Sequence, residues 1–176
     1  MEKEFVVLVD PQDNPIGLME KMEAHQKAVL HRAFSVFIFN GKGEMLLQQR
    51  AFSKYHTPGL WTNACCSHPR NGESLEQATA RRLKEEMGMQ CEITKAFDFL
   101  YKADVGQGLI EHEVDHVFLG ITDQQPTINP DEVASWKYMP MDELKKDIQT
   151  NPENYTAWFK IAFDRLVAFY EEQQAK

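Results

Sequence analysis

The 176-residue sequence predicts one α/β domain, in which a mixed β-sheet is packed between helices. Short apolar runs of strand length are bounded by turn residues, which indicates several β-strands. Segments with helical periodicity fall among these runs and again at the end of the chain. Gly and Pro are scattered, and no linker or repeat divides the sequence, so we expect residues 1–176 to form a single domain.

The first part of the chain predicts three strands and one helix. Residues 5–9 are an apolar run that ends at the turn residues 10–15. Residues 19–29 have helical composition. Residues 33–39 are almost wholly apolar and rich in Val, Ile and Phe, which is typical of a central strand buried on both faces. The Asn-Gly-Lys-Gly segment that follows predicts a hairpin leading into a strand at residues 44–50.

The clearest helix is predicted at residues 74–87. Ser74 and Gln77 form a capping-box pattern, apolar positions recur every four residues, and Gly88 lies where a C-cap is expected. The remaining predicted elements are strands within 92–102 and 109–121, a strand at 136–139, and helices at 141–148 and 154–172.

Composition and charge restrict the function. A net charge of -8 argues against general nucleic-acid binding, which needs a basic surface, although a small anion could bind where a few cations converge. The first ten residues do not resemble a signal peptide, and no apolar run has the length of a membrane span. We therefore expect a cytoplasmic protein without a membrane partner. Three cysteines, two of them adjacent, indicate reduced thiols.

Two segments carry residues suited to catalysis. Residues 62–69, with the sequence Thr-Asn-Ala-Cys-Cys-Ser-His-Pro, place the Cys66 thiol two residues from His68, a pair that can bind a metal or move a proton. Glu111 and Glu113 alternate on a predicted strand and would therefore point the same way. We expect these groups to share a pocket. The alternatives are a buried, inert thiol and the solvated face of an edge strand.

The predicted helix at 74–87 carries a diphosphate-binding pattern. Ser67, Glu73 and the run from Arg81 to Gly88 resemble the Nudix box, in which Glu side chains surround a divalent cation that binds a diphosphate. Ser67 stands where Gly is usual, and Arg82 stands where a Glu belongs. A cation at that position weakens a metal cage but adds a diphosphate ligand, so we expect diphosphate binding without cleavage. The alternative is a solvated helix face with ordinary i,i+4 ion pairs.

Almost the whole chain resembles the type 1 isopentenyl diphosphate isomerases, a Nudix-fold family of isoprenoid synthesis. The similarity runs through residues 17–21, 31–35, 49–54 and 58–63, and continues through the cysteine motif and the two glutamates to Trp158. The order and spacing of these fragments together make the resemblance specific. It implies a Nudix-type mixed sheet sandwiched between helices, with a short N-terminal extension.

The resemblance implies a 1,3-allylic proton shift that converts isopentenyl diphosphate into dimethylallyl diphosphate. Glu113, with Tyr101, would protonate the alkene to a tertiary carbocation, and the Cys66 thiolate would remove the C2 proton. The substrate-binding residues implied by the family are Lys21, Arg50, Lys54, Arg82 and Trp158. The implied ligands of one tightly bound divalent ion (Mn²⁺, Zn²⁺ or Mg²⁺) are His25, His31, His68, Glu111 and Glu113, and Glu86 would complete a Mg²⁺ on the substrate diphosphate.

His25 is the least secure of these ligands. Six residues separate it from His31, so neither a continuous helix nor a continuous strand would bring the two imidazoles together, and the chain must bend between them. His56, His112 and His116 have no role that the resemblance assigns.

Two other classes of protein remain as alternatives. A Nudix pyrophosphohydrolase of a nucleoside diphosphate derivative would share the fold and Mg²⁺, but it needs a full set of carboxylates and has no use for Cys66. The other class is a non-catalytic Nudix-like binding or regulatory domain, or a zinc-stabilised structural domain; the cysteine motif lacks the CxxC spacing of structural zinc sites. For the leading interpretation, the partner is a small diphosphate substrate and the chain is expected to be a monomer.

Overall fold

A nine-stranded mixed sheet forms the centre of the computed structural model, which describes residues 3–54 and 56–176. Its strands are β1 (Phe5–Val9), β2 (Pro15–Glu20), β3 (His31–Phe39), β4 (Met45–Arg50), β5 (Trp61–Thr62), β6 (Cys65–Ser67), β7 (Ile93–Gly106), β8 (Leu109–Ile121) and β9 (Val133–Met139). The α-helices are α1 (Lys21–Gln26), α2 (Leu75–Met87), α3 (Met141–Thr150) and α4 (Ala157–Gln174), and a 3-10 helix spans Pro152–Asn154.

Strand β3 organises the sheet. It pairs in parallel with β8 along its whole length, and β8 forms a long antiparallel hairpin with β7. The other edge of β3 is shared in turn by β1, β6 and β4. Strand β4 meets β3 only at the turn between them and then pairs with β5 and β9. Because β3 and β4 diverge, the short cysteine strand β6 can pair with the middle of β3.

Helices cover both faces of the sheet. Phe37 of β3 joins an apolar cluster with Phe159 of α4, whereas its neighbour Val36 joins a second cluster with Leu83 of α2. Alternate side chains of β3 thus enter two cores, which confirms the prediction of a strand buried on both faces. Each large apolar side chain buried in this way contributes about 1.5–3 kcal/mol. The α/β sandwich predicted from the sequence is confirmed.

Helix α2 begins and ends as predicted. The backbone N–H of Gln77 donates to Ser74 Oγ over 3.1 Å, and Ser74 N–H donates to Gln77 Oε1 over 3.0 Å, which completes the capping box. Gly88 ends the helix with a left-handed φ of 61°. A Cβ at this position would lie 2.5 Å from the carbonyl oxygen of Thr127, so the close approach also requires glycine.

The structure corrects the predicted helix at residues 19–29. Residues 15–20 form strand β2, which pairs with β1, and helix α1 spans only Lys21–Gln26. The Glu20 carboxylate caps α1 by accepting from Glu23 N–H over 2.8 Å, and the positive φ of 55° at Ala28 prevents the helix from continuing. This bend lies between His25 and His31, as their spacing requires.

Other differences concern the ends of elements. The short strands β5 and β6 were not predicted, β7 extends four residues beyond its predicted range, and β9 begins three residues before its predicted start, whereas β8 fills the predicted range 109–121. The 3-10 helix takes up the start of the last predicted helix, so α4 begins at Ala157. In the described part of the chain, none of the helices is both long and apolar enough to cross a membrane.

Candidate active site

The sheet register brings the predicted site residues together at one cavity. His31 lies opposite Glu113, Glu113 lies opposite Tyr101, and Cys66 of β6 lies opposite Ser35 of β3. The predicted site residues that line this cavity are Lys21, Arg50, Lys54, Cys66, His68, Arg82, Glu86, Tyr101, Glu111, Glu113 and Trp158. His25 and His31 lie directly behind them, with their rings 5.7 and 4.9 Å from that of His68.

Two histidines and one glutamate converge most closely. Glu113 Oε2 lies 2.9 Å from His31 Nε2 and 2.8 Å from His68 Nε2, and the two nitrogens are 3.2 Å apart. With metal–ligand bonds of about 2.1 Å, adjacent ligands of one ion are separated by about 3 Å. With His25, these residues form a group whose ligand atoms all lie within 4.8 Å of one another.

The backbone orients two of the imidazoles. His25 Nδ1 lies 2.7 Å from the carbonyl oxygen of Lys21, and His31 Nδ1 lies 2.9 Å from that of Val29. An Nδ1–H that donates to a carbonyl directs Nε2 toward the cluster, which is the usual orientation of a metal-binding histidine. His25 is therefore placed where the resemblance requires, despite its irregular spacing.

Glu111 belongs to a second, overlapping group. Its Oε2 lies 3.9 Å from His25 Nε2 and also 3.9 Å from His56 Nε2. His25, His56 and Glu111 form a group with ligand atoms within 4.8 Å, and His25 is common to both groups. The five predicted ligands are thus neighbours, but Glu111 is grouped with His56 rather than with His31 and His68.

The chemistry of this donor set fits a divalent cation. Burial and the nearby charge of Glu113 raise the pKa of Glu111 well above its usual range. Burial would also raise the pKa of Glu113, but hydrogen bonds from His31 and His68 hold it well below its usual range. Two buried carboxyl groups side by side, surrounded by imidazoles, are stabilised by a cation with nitrogen and oxygen ligands, such as Zn²⁺ or Mn²⁺.

Tyr101 joins the two carboxyl groups on their cavity side. Its hydroxyl donates to Glu113 Oε1 over 2.5 Å and lies 3.0 Å from Glu111 Oε1. Burial and the charge of Glu111 raise the pKa of Tyr101, so the hydroxyl keeps its proton. Each glutamate therefore offers one oxygen to Tyr101 and the other to histidines.

The two adjacent cysteines face opposite sides of the sheet. Cys65 is fully buried in the cluster against α2, and Cys66 lines the cavity. Burial raises the pKa of Cys66 well above its usual range, while the charge of Arg50 opposes this shift. The sulfur thus carries its proton in this structure.

Cations and carboxylates that line the cavity are paired with one another. Lys21 Nζ lies 2.6 Å from Glu4, Lys54 pairs with Glu132, and an Arg82 N–H donates to Glu86 over 2.6 Å. Burial would lower the pKa of Arg82, but Glu86 and Glu132 raise it. Among the described residues, the buried Nε atoms of Arg50 and Arg82 have no hydrogen-bond acceptor, so both guanidinium groups can still bind an anion.

Trp158 forms part of both the core and the cavity wall. Its side chain is 3% exposed, and its indole N–H donates to Asn63 Oδ1 over 3.2 Å. The Arg50 guanidinium lies 5.5 Å from the indole centroid. The indole is thus fixed by packing and hydrogen bonding while one surface remains available to a ligand.

Sequence reasoning missed three ionisable residues that line the cavity: Glu4, His56 and Glu132. His56 is 6% exposed, and burial lowers its pKa to about 2, so the imidazole is neutral. Glu4 and Glu132 lie outside the Nudix-box pattern. His56 stands beside a Thr-Pro-Gly turn, and only its position two residues after Lys54 could have pointed to the site.

This arrangement can move protons in a confined space. A thiol, a tyrosine–carboxylate pair and several cations line one cavity. Such a site can bind a small substrate through an anionic group, add a proton at one position and remove one at another.

The comparisons with known proteins agree with the fold and with the family that the sequence resembles. The NUDIX domain family matches residues 29–159. The chain is 52% identical over 166 residues to "Isopentenyl-diphosphate Delta-isomerase" of Pectobacterium atrosepticum, covering 94% of this chain and 93% of that protein. It is 54% identical over 163 residues to "Isopentenyl-diphosphate Delta-isomerase 2" of Photorhabdus laumondii, covering 93% and 92%.

Solved structures resemble the fold at lower identity. The crystal structure of DR0079 from Deinococcus radiodurans has a TM-score of 0.70 at 18% identity, over 84% of this chain and 90% of that chain. The MutT protein from Methanosarcina mazei Go1 has a TM-score of 0.64 at 20% identity, over 82% and 95%. The chain belongs to the NUDIX domain family and, within it, to the isopentenyl-diphosphate Delta-isomerases.

Proposed function

We propose that this chain interconverts isopentenyl diphosphate and dimethylallyl diphosphate by a 1,3-allylic proton shift, as an enzyme of isoprenoid synthesis. The observation that carries this proposal is the pairing of Cys66 with Tyr101 and Glu113 in one cavity. The names of relatives that are about half identical to the chain point to the same reaction.

The reaction explains why the site must be enclosed. An isolated alkene is a very weak base, and protonating its terminal methylene creates a tertiary carbocation that water would capture. The acid must therefore be strong and water must be kept away from the cation. The reacting groups Tyr101 and Glu113 are 6% and 4% exposed, so they meet this requirement.

The Tyr101–Glu113 pair delivers the proton to the methylene carbon. The Tyr101 hydroxyl is hydrogen-bonded to Glu113 over 2.5 Å, which makes it a direct path between the carboxyl group and the cavity. General acid catalysis of this kind contributes about 10²- to 10⁴-fold.

Cys66 exchanges the proton at C2. Its raised pKa and the lowered pKa of Glu113 leave a thiol and a carboxylate in the ligand-free protein. This state serves the reverse direction, in which the thiol protonates C2 of dimethylallyl diphosphate and Glu113 takes a methyl proton. The forward direction uses the same path with the proton on the Tyr101–Glu113 side and a thiolate near Arg50.

Trp158 stabilises the intermediate. A carbocation over the face of an indole gains about 2 kcal/mol or more when it is desolvated. Trp158 is fixed by its hydrogen bond to Asn63 and lines the same cavity as Cys66 and Glu113. The indole would therefore lie against the isoprenyl carbons.

The diphosphate binds to four cations that line the cavity, Lys21, Arg50, Lys54 and Arg82. In the ligand-free protein, Glu4 pairs with Lys21, and Glu132 pairs with Lys54 and Arg82. The diphosphate must replace these carboxylates. Glu86 lines the same cavity and would supply a carboxylate oxygen to a substrate Mg²⁺.

A divalent ion would be held by His25, His31, His68, Glu111 and Glu113. Bound there, it would neutralise the glutamates and strengthen the acidity of the neighbouring protonated groups. Zn²⁺ and Mn²⁺ suit the imidazole-rich donor set better than Mg²⁺. We further propose that the chain works as a monomer in the cytoplasm, which gel filtration and cell fractionation would test.

The rival activity is a pyrophosphohydrolase. It would need a further carboxylate where Arg82 stands, and the Arg82 guanidinium instead neutralises Glu86 over 2.6 Å. The catalytic metal cage of a hydrolase is therefore incomplete, which favours diphosphate binding over cleavage.

One assay distinguishes the two activities. The protein is incubated with isopentenyl diphosphate and Mg²⁺ with Mn²⁺ or Zn²⁺ in D₂O, and the products are followed by NMR. We expect dimethylallyl diphosphate with deuterium in a methyl group and no release of phosphate. Phosphate release without an allylic product would replace the proposal with the hydrolase.

A further inference from the structure

His56 belongs to the wall of the active-site cavity, yet the acid–base mechanism leaves it without a role. It lies between two functional groups: its ring stacks on that of His25 at 5.7 Å, and its edge faces the Trp158 indole at 6.3 Å. The side chain is buried. A buried imidazole beside the proposed metal ligands is itself a potential ligand.

The contacts of Glu111 point to a specific role. Glu113 presents its Oε2 to two imidazoles, and Glu111 does the same, with His25 and His56 each 3.9 Å away. This separation is too long for a hydrogen bond. It lies within the range of about 3–4.2 Å expected between two ligands of one ion with bonds of about 2.1 Å.

The orientation of the His56 ring is that of a ligand. Its Nδ1 lies 3.1 Å from Thr57 Oγ1, which can accept an Nδ1–H hydrogen bond and leave the Nε2 lone pair facing Glu111. Arg50 also approaches His56, at 3.5 Å from Nδ1 and 3.4 Å from the backbone carbonyl oxygen, and the carbonyl is the acceptor compatible with this tautomer. His25 and His31 likewise have an oxygen beside Nδ1.

We propose that His56 is a further metal ligand of this centre. It would act beside His25 and Glu111 and would be the fourth imidazole of the centre. The inference rests on the divalent-ion centre of the proposed function. His25 is common to both donor groups. An ion bound to His25 therefore has further ligands available from the first group, with His31 and His68, and from the second group, with His56 and Glu111. The added nitrogen favours Co²⁺ and Zn²⁺ over Mg²⁺, which prefers oxygen ligands.

The experiment compares Co²⁺ and Mg²⁺ binding to the wild-type chain and to His56→Gln. Affinities are measured by competition with a chromophoric chelator, and the visible absorption spectrum of bound Co²⁺ reports its ligands. We expect the Co²⁺ affinity to fall about 10- to 100-fold, the spectrum to change, and the Mg²⁺ affinity to change much less. Unchanged Co²⁺ affinity with an unchanged spectrum would overturn the proposal.

His112→Gln is the matched control, because His112 lies between Glu111 and Glu113 on β8 but belongs to neither of the two donor groups that the described residues form. We expect this variant to bind Co²⁺ like the wild type. An equal loss in both variants would show a general effect of removing a histidine and would contradict a specific role for His56.

Cadmium NMR tests the same ligand without a mutation. In the wild-type chain with ¹⁵N-labelled histidines, scalar coupling between bound cadmium and His56 Nε2 supports the proposal. Coupling to His25, His31 and His68 alone overturns it, even if His56→Gln fails to fold. If the wild-type chain bound no divalent ion at all, the metal centre of the proposed function would itself be wrong. That result differs from an ion that binds the chain without contacting His56, which would overturn only the role of His56.

Discussion

The two adjacent cysteines show how position decides the chemistry of a residue. Both lie on the three-residue strand β6, so successive side chains point to opposite faces of the sheet. Cys65 packs against α2 in the core, and Cys66 meets the cavity that also holds Tyr101 and Glu113. The same residue type therefore packs in the core at one position and lines the proposed active site at the next.

We expect Cys66→Ala to lose at least about 100-fold in turnover, because the variant has no group to exchange the C2 proton. Circular dichroism should show a folded protein, and NMR of the product in D₂O measures the loss. Cys65→Ala is the control: it should keep its activity and lose roughly 1 kcal/mol of unfolding free energy through the small cavity it leaves. Comparable turnover in Cys66→Ala and the wild type would exclude the thiol from catalysis.

Glu113→Gln should reduce turnover by about 10²- to 10⁴-fold, because an amide cannot supply the proton that a carboxyl group delivers through Tyr101. Single-turnover incorporation of deuterium from D₂O measures the proton-transfer step directly. Tyr101→Phe should slow the same step, since it removes the hydroxyl that is 2.5 Å from Glu113. Glu76→Gln, at an exposed position of α2, serves as the control. Normal deuterium uptake in Glu113→Gln would assign the acid to another group.

Some site residues could be predicted from the sequence, and others could not. Cys66, His68 and Glu113 lie in short motifs whose residue types are unusual enough to indicate chemistry. His56 and Glu132 stand alone in ordinary loop segments, where a histidine or a glutamate is usually solvated. Their position at the cavity depends on how β4 and β9 pair, which local sequence does not encode.

At the scale of elements, α2 is the segment that its own sequence specifies most completely. Ser74→Ala removes the hydroxyl that accepts from Gln77 N–H, so we expect the unfolding free energy to fall by about 1 kcal/mol. Urea denaturation measures this change. Gln77→Ala removes the reciprocal hydrogen bond from Ser74 N–H to Gln77 Oε1, so its unfolding free energy measures the contribution of that second bond. Equal stability of Ser74→Ala and the wild type would mean that tertiary packing alone fixes the start of the helix.

Helix α1 and strand β2 mark the limit of prediction from local patterns. Strand β2 is an edge strand whose first four residues are exposed, so it lacks the alternation of apolar and polar residues that reveals a strand. Helix α1 stops after six residues because the chain bends at Ala28. Contacts with β1 and the burial of His25, rather than propensity, set these boundaries.

We expect the segment before β1 to compete with the substrate. Glu4 pairs with Lys21 at the start of α1, and the Glu4 side chain is 61% exposed, so the pair is weak and a diphosphate can replace it. Glu4→Gln should lower KM for isopentenyl diphosphate about two- to five-fold at low ionic strength, with kcat unchanged.

Steady-state kinetics at two salt concentrations check this prediction, since salt should reduce the difference between Glu4→Gln and the wild type. Glu23→Gln is the control, because Glu23 pairs with Lys27 on the same helix without lining the cavity. A higher KM in Glu4→Gln would mean that Glu4 helps to bind the substrate, for example through its Mg²⁺.

At the scale of the molecule, the proposed metal centre connects segments that are distant in sequence. His25 comes from α1, His31 from β3, His68 from the end of β6, and Glu113 from β8. The resemblance to a family predicted these residues, but the distances among them follow from the sheet register, in which β3 lies parallel to β8. An ion bound there would therefore stabilise the whole fold rather than one loop.

Removal of divalent ions should lower the melting temperature, because an ion that binds the folded chain and not the unfolded chain stabilises it by mass action. At a free ion concentration of 100 times Kd this amounts to about 2.7 kcal/mol, or roughly 5–10 °C for a chain of this size. Scanning calorimetry of the EDTA-treated protein, with and without added Mn²⁺ or Zn²⁺, measures the shift. His68→Gln should melt at nearly the same temperature in both conditions, since it lacks a ligand from the most closely spaced group. If the wild type also melted at one temperature with and without every divalent ion tested, the histidines and glutamates would be a polar network of the fold and not a metal site.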